Sequence, residues 1–336
     1  MKFGSFSAIL NEEEYKYAGY STTIITPLIF KITHSKEGNS GDIDQIEFLN
    51  KTNEYVMKIY KDTMIDVKPT PKLINYFNSS IDESNDNHIS HIFLNSLNYD
   101  IKLCGYFLED CGSIDVFDTL TNLLNGETNI WMRDTKNKMY QFTSHMCKAL
   151  NYLEENKMCH FDIKPENIVY NNKDASIPFG KRFKLIDFGF AEVYPFKKYV
   201  NKLVGSLFYT PYYHPNNEYP EWALKINTND WKYNPVQKKY YHYTLNKNNP
   251  ELLYKTDIFS MGIVLNQLMF YINNYFKETG VTLFEINNNK LYNIIQHMTH
   301  KDIETRFNSE ECISFLIKCN GNLFDIILDN GHICCC

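Results

Sequence analysis

Arginine is almost missing from this sequence: among its 34 basic residues only Arg133, Arg182 and Arg306 carry a guanidinium. Positive charge is not in excess either, because 40 Asp and Glu bring the formal net charge to -6. That balance excludes a global basic field able to hold nucleic acid or an anionic membrane, so any such binding must be local. The nine cysteines contain no C-x-x-C pair and their number is odd, which excludes a zinc ribbon and a complete disulfide framework. Reduced thiols in a cytosolic setting are therefore expected. No long uninterrupted apolar run exists. The longest stretch, Phe259 to Phe276, is broken by Asn266, Gln267, Asn273 and Asn274, which are expensive in hydrocarbon, so a buried soluble helix is predicted there. The opening MKFGSFSAILNEEEY turns acidic before the apolar core of a signal peptide could form, and a cytoplasmic chain is expected. What is present, 43% hydrophobic and 15% aromatic residues in 336, suffices for one large core or two modest ones and excludes disorder of the whole chain.

Periodicity divides the chain. From Tyr15 to Tyr60 the runs are short and β-branched, as in YSTTIITPLIFKIT and EYVMKIY, with the polar gap EGNSGDID between them. Antiparallel strands with a surface insertion are predicted. Asn78 to His88 reads as a loop, and HIFLNSLN and KLCGYFLEDCG as two further strands. Beyond Gly112 apolar residues recur three and four apart in YQFTSHMCKALNYLEEN, KTDIFSMGIVLNQLMFYI and LYNIIQHM, the signature of helices. A β-rich part, residues 1–110, is thus followed by a larger helical part, 111–330, and by a Cys-ended tail, 331–336, with no internal repeat.

Chemistry concentrates in CHFDIKPENIVY, Cys159 to Tyr170, and FKLIDFGFAE, Phe183 to Glu192. Asp162 can accept the proton of an attacking hydroxyl, and Lys164 can neutralise charge on a transferring phosphoryl group. Asn167 and Asp187 offer hard oxygen ligands suited to Mg²⁺. A lone Asp or Asn would be read as a solvated loop residue; four such groups at this spacing, each beside a short apolar run, point to phosphoryl transfer from a Mg²⁺ nucleotide.

At these residues the chain resembles the eukaryotic-type protein kinase superfamily. His160, Asp162, Lys164 and Asn167 meet the pattern H-x-D-x-K-x-x-N, and Asp187, Phe188 and Gly189 the D-F-G triplet. Lys164, two places after the acid, is similar to the Ser/Thr branch. KTDIFSMGIVL resembles the central helix of the family's C-lobe, with Asp257 bracing the catalytic loop, and TRFNSEE puts Arg306 at the family's structural arginine. YVMKIY resembles V-A-I-K and nominates Lys58 for the α/β-phosphates. YFLEDCGS resembles the gatekeeper and hinge, which puts Leu108 behind the adenine and Glu109 to Cys111 at its backbone hydrogen bonds. The resemblance implies an α+β, two-lobed protein kinase-like fold, with a small β-rich N-lobe, a helical C-lobe and the nucleotide in the cleft between them. It also implies ATP and Mg²⁺ as cofactors and the Ser or Thr hydroxyls of proteins as acceptors. Catalysis would fall to Asp162, Lys164 and Lys58, nucleotide binding to Gly19, Lys58, Leu108, Glu109, Cys111, Asn167 and Asp187, and the metal to Asn167 and Asp187.

The sequence departs from that family in several places. The glycine-rich phosphate cover appears as YAGYSTTI, Tyr17 to Ile24, keeping only Gly19 of three glycines. No helical Glu for Lys58 is evident, and Glu83 is the nearest candidate. The A-P-E triplet is replaced by GSLFYTPYYHP, which leaves Glu218 as the acid proposed for Arg306. The position before Asp162, where the family often keeps a phosphate-receiving Arg, is Phe161, and Asp187 to Gly205 contains no Ser or Thr. The loop is therefore expected to hold its shape by packing Phe161, Phe190 and Phe196. Lys225 to Lys247, inside an insertion at 214–250, interleaves Lys with Trp and Tyr and is read as packing on its own tyrosines rather than docking nucleic acid. Cys334 to Cys336 would bring the chain to a membrane only if acylated, since Ile333 occupies the place a C-a-a-X box gives to Cys. The Lys, Asn, Ile and Tyr skew fits an AT-rich genome such as that of a large DNA virus. A pseudokinase scaffold is the competing class, supported by the eroded cover and the missing Glu. A small-molecule phosphotransferase would not normally combine D-F-G, KPEN and DIFSMG.

Overall fold

A computed structural model describes residues 2–4, 7–34, 46–51, 53–83, 103–127, 130–194, 196, 205–211, 250–277, 283–284, 289–300 and 302–320. They fall into two compact units, Met1–Ser113 with Ile186–Ala191 and Ile114–Leu185 with Glu192–Cys336. The first contains a sheet and the second is mainly helical, the fold class expected for a protein kinase domain. The insertion 214–250 with Glu218, the strand HIFLNSLN and the tail with Cys334 to Cys336 lie outside the described residues.

In the first unit five antiparallel strands, β1 (Lys2–Gly4), β2 (Ser7–Leu10), β3 (Leu28–His34), β4 (Ile65–Val67) and β5 (Leu103–Glu109), order as β1-β2-β3-β5-β4. Alternation along β3 sends Leu28, Phe30 and Ile32 to one face, where they join Ala8, Leu10, Val67, Leu103 and Phe107. Helices α1 (Glu12–Tyr17) and α3 (Pro71–Glu83) close that core with Tyr15, Leu73 and Phe77. Burying a ring such as that of Phe30 contributes roughly 1.5–3 kcal/mol. The short helix α2 (Ile46–Leu49) lies between β3 and β4 in the chain.

Three expectations change here, the first being that Asn78 to Glu83, read as the start of a loop, is the end of helix α3. YSTTIIT, residues 20–26, is not a strand; it is irregular backbone that follows helix α1, which starts at the capping box of Asn11 and Glu14 and ends at Tyr17. YVMKIY forms isolated bridges at Val56 and Ile59, the latter opposite Leu108, instead of a strand. Asn53 Oδ1 accepts from the N–H groups of Tyr55 and Val56 just before it, a local turn that competes with sheet pairing.

Close approach at Gly105 sets β5 against its neighbours. A Cβ there would meet the Phe30 ring and, at 2.7 Å, Val67 Cγ2. Gly105→Ala is therefore expected to cost about 1–3 kcal/mol through overpacking. A lower thermal midpoint with an unchanged native far-ultraviolet spectrum would bear this out, and an unchanged midpoint would not.

The second unit is built on α5 (Thr135–Glu155) and α6 (Tyr254–Lys277), with α4 (Val116–Leu124), α7 (Lys290–Met298) and α8 (Ser309–Asn320) around them. The apolar stretch at Phe259 lies within α6, which is buried along most of its length, and its polar members are accommodated: Gln267 Oε1 accepts from the Tyr209 hydroxyl at 2.7 Å. Among the described residues no helix is long and apolar enough to cross a membrane. Short strands carry the loops that matter for chemistry: β6 (Ile114–Asp115), β8 (Ile168–Tyr170) and β9 (Phe183–Leu185) form one small sheet, and β7 (Met158–Cys159) pairs with β10 (Glu192–Val193). Trp131, Phe142, Phe179 and Phe183 pack edge-to-face and stacked where α5 meets β9.

Candidate active site

The loop between β7 and β8 gathers Asp162, Lys164 and Asn167, all in the second unit. Asp162 is 5% exposed, and both of its oxygens are engaged. Oδ1 accepts from the Ser206 N–H at 2.9 Å and the Ser206 hydroxyl at 2.8 Å. Oδ2 accepts from Asn167 Nδ2 at 3.0 Å and pairs with Lys164 Nζ at 3.1 Å. Lys164 also donates to Ser206 Oγ at 3.1 Å, and Asn167 to the Asp162 carbonyl at 2.8 Å. Buried carboxylates require such partners. A hydroxyl is thus already seen to fit between this carboxylate and this ammonium.

Asp257, at the start of α6, fixes the loop from behind. Its carboxylate accepts from the backbone N–H groups of His160 at 2.6 Å and Phe161 at 2.9 Å. Burial pushes its carboxyl above the ordinary value, opposed by His160 and by those two hydrogen bonds. Phe161 itself has φ +63°, a left-handed conformation that costs a bulky residue about 1–2 kcal/mol. On its far side Gly205, at φ +88°, comes so close to the Phe161 carbonyl that a Cβ could not be inserted. Arg306, 1% exposed, donates to the carbonyls of His300 and Lys255 and lies over the Phe259 ring at 5.0 Å. Backbone carbonyls therefore take at least part of the role sought for an acid.

Asp187 belongs to the first unit, with φ +58° and a side chain 52% exposed. The lysine beside it is Lys31 of β3, whose ammonium lies 3.4 Å from Asp187 Oδ1 with the side chain 7% exposed. Lys58, the lysine nominated from sequence, sits over the Tyr60 ring at 4.5 Å. Both lysines occur within apolar runs, and it was the resemblance of YVMKIY to V-A-I-K that nominated Lys58. What separates them is position in the sheet. Lys31 stands on a strand flanked by β2 and β5 and has no edge by which to reach water, whereas Lys58 can lay its stem along an aromatic neighbour.

Gly19 stops helix α1. With φ +94° it follows the C-cap Ala18 and donates to the Lys16 carbonyl at 3.0 Å, the work glycine does at many helix ends. The strands that pair next to each other at the start of the sheet are β1 and β2, with Gly4 opposite Ser7. Leu108 is buried in β5, the Glu109 N–H donates to the Lys58 carbonyl at 2.9 Å, and the Cys111 thiol lies 3.7 Å from the Glu109 carbonyl. Glu83 ends α3. Glu47 of α2 pairs with Lys61 at 2.7 Å, an exposed contact.

For a divalent metal the donor chemistry is suitable. Asn167 turns its amide nitrogen to Asp162, so its carbonyl oxygen is the atom left to serve a cation, and Asp187 supplies a half-exposed carboxylate. Among the described residues no cluster of three or more His, Cys, Asp or Glu could hold a metal unaided.

Comparison with known proteins places the chain in a family. The protein kinase domain family matches residues 37–216, just over half of the chain, a stretch that contains Lys58 and begins after Lys31. Mouse death-associated protein kinase 2 is 46% identical over 50 residues, covering 15% of this chain and 13% of that protein. Human myosin light chain kinase 3 is 30% identical over 112 residues, 32% and 12% of the two chains, and the Aurora kinase of Eremothecium gossypii is 31% identical over 136, or 38% and 34%. The chain thus spans about a third or less of these relatives' lengths. With the family match extending over most of the catalytic segment, the chain belongs to the protein kinase domain family.

Proposed function

We propose that this protein is an ATP-dependent protein kinase that transfers the γ-phosphoryl group to Ser or Thr hydroxyls. The observation that carries the reading is the bonded set around Asp162. The Ser206 hydroxyl donates to Asp162 Oδ1 while Lys164 donates to the same hydroxyl oxygen. An acceptor hydroxyl brought to this carboxylate would deliver its proton there, and Lys164 would balance the charge that develops as the phosphoryl group moves. Asn167 holds Asp162 in place through two hydrogen bonds. Asp187 and Asn167 each offer an oxygen suited to Mg²⁺, which would supply charge neutralisation at the phosphates. Lys31 is the residue we assign to the phosphates in place of Lys58, since it is the buried cation next to Asp187. Leu108 and the backbone of Glu109 to Cys111 would receive the adenine. Lys164, two positions after the acid, supports the Ser/Thr preference.

A scaffold without turnover is the second reading. It is favoured by the fate of Gly19, the only glycine kept in the segment taken as the phosphate cover, which ends a helix instead. Radiolabelled γ-phosphate transfer to generic protein substrates, followed by phosphoamino-acid analysis, separates the two. Label on Ser or Thr supports the enzyme, label on Tyr alone overturns the specificity, and no label above an Asp162→Asn control leaves the scaffold.

A further inference from the structure

We propose that Phe196 is a positioning residue for the catalytic loop, acting on Asp162 through the ring of Phe161. The proposal rests on the kinase reading for its consequence but on packing for its cause. Phe196 is 1% exposed although its neighbour Tyr194 is 40% exposed, so of these two rings it is Phe196 that is driven inward. It meets Phe161 edge-to-face at 5.7 Å and Tyr254 of α6 at 5.6 Å, inside a small core that also holds Leu253 and Ile303. Phe161 precedes Asp162 directly and is held on three sides. Asp257 takes its N–H, Gly205 crowds its carbonyl, and Phe196 covers its ring.

Those three contacts offset an unfavourable left-handed backbone, and only the third is made by a side chain that can be removed without touching a hydrogen bond. Without the Phe196 ring, Phe161 can leave its strained conformation. Its C-terminal peptide then rotates and takes Asp162 with it. The cost falls on orientation of the acid, since displacements of about 1 Å at a reacting group lower rates by roughly 10²-fold. Nucleotide affinity has no reason to follow. Tyr194, whose N–H donates to the Lys157 carbonyl at 2.8 Å, ties the segment to the turn after α5 and brings Phe196 to its place.

The test compares wild type, Phe196→Ala and Phe196→Leu by steady-state kinetics and by hydrogen exchange of a peptide spanning Cys159 to Ile163. Phe196→Ala is expected to lower kcat by about 10²-fold with KM for ATP within about twofold, and to speed exchange at the amides of His160 and Phe161 while α5 keeps its protection. Phe196→Leu, which refills the space, should recover most of both. Unchanged exchange and kcat in Phe196→Ala overturn the proposal, as does faster exchange with wild-type kcat. If Phe196→Ala fails to fold, Phe196→Leu and Phe196→Met carry the same comparison: kcat falling in step with loop exchange supports it, and kcat falling with exchange unchanged overturns it. Wild-type protein that transfers no phosphate overturns the kinase reading, and loop exchange in the variants then decides the packing role by itself.

Discussion

Asp162→Asn is expected to lower kcat by about 10²–10⁴-fold, the range contributed by a positioned general base. The replacement keeps size and shape but reverses one face of the side chain. An amide carbonyl can still accept from the Ser206 N–H and hydroxyl, whereas an NH₂ in the place of Oδ2 would confront two donors, Asn167 Nδ2 and Lys164 Nζ. That mismatch should cost about 1–3 kcal/mol of stability, so melting should remain cooperative at a lower temperature. Nucleotide affinity should stay near wild type, because adenine and phosphate contacts are assigned to other residues. Single-turnover rates and a titration with a fluorescent ATP analogue check both halves. A variant that turns over at the wild-type rate removes Asp162 from the mechanism.

The second large effect distinguishes two lysines. Lys31→Met should reduce transfer by about 10²-fold or more, as expected when a positioned charge on the phosphates is lost, while Lys58→Met should stay within about twofold of wild type. Methionine preserves the stem that fills the space on β3 and removes only the charge beside Asp187, whose half-exposed carboxylate can turn to water. Lys58 lies with its ammonium over the Tyr60 ring at 4.5 Å, away from the role assigned to Lys31. The opposite pattern, an inactive Lys58→Met and an active Lys31→Met, would return the role to Lys58, in line with a family match that begins at residue 37.

The catalytic loop was legible in the sequence because its chemistry is local. Asp162, Lys164 and Asn167 lie within six positions, and their bonds to one another need only a short turn. Asp257 was also expected to brace that loop, from the resemblance of KTDIFSMGIVL to the family's central C-lobe helix, and its carboxylate accepts two backbone N–H groups there. The first unit was far less legible. Which lysine meets Asp187 depends on pairing Leu28 through His34 with Leu103 through Glu109, strands far apart in the chain, and no short pattern reports that register. Local hydrogen bonding also worked against the reading: Asn53 starts a turn at EYVMKIY, where β-branched residues had suggested a strand. The aromatic packing around the activation segment was half foreseen. Phe161 and Phe196 meet, but Phe190 is 44% exposed.

Phosphorylation should not be needed to assemble this site. The position before Asp162 is Phe161, whose ring contacts Phe196, and Asp187 to Gly205 offers no Ser or Thr to modify. The decisive measurement is γ-phosphoryl transfer by wild-type protein expressed in a kinase-free host, assayed with ATP and Mg²⁺ before and after phosphatase treatment. Mass spectrometry would verify that the segment carries no phosphate. Transfer to Ser or Thr at the same rate in both samples, absent in Asp162→Asn, is the predicted result. Transfer no greater than that of Asp162→Asn in either sample would contradict it and leave a kinase fold that binds without turning over.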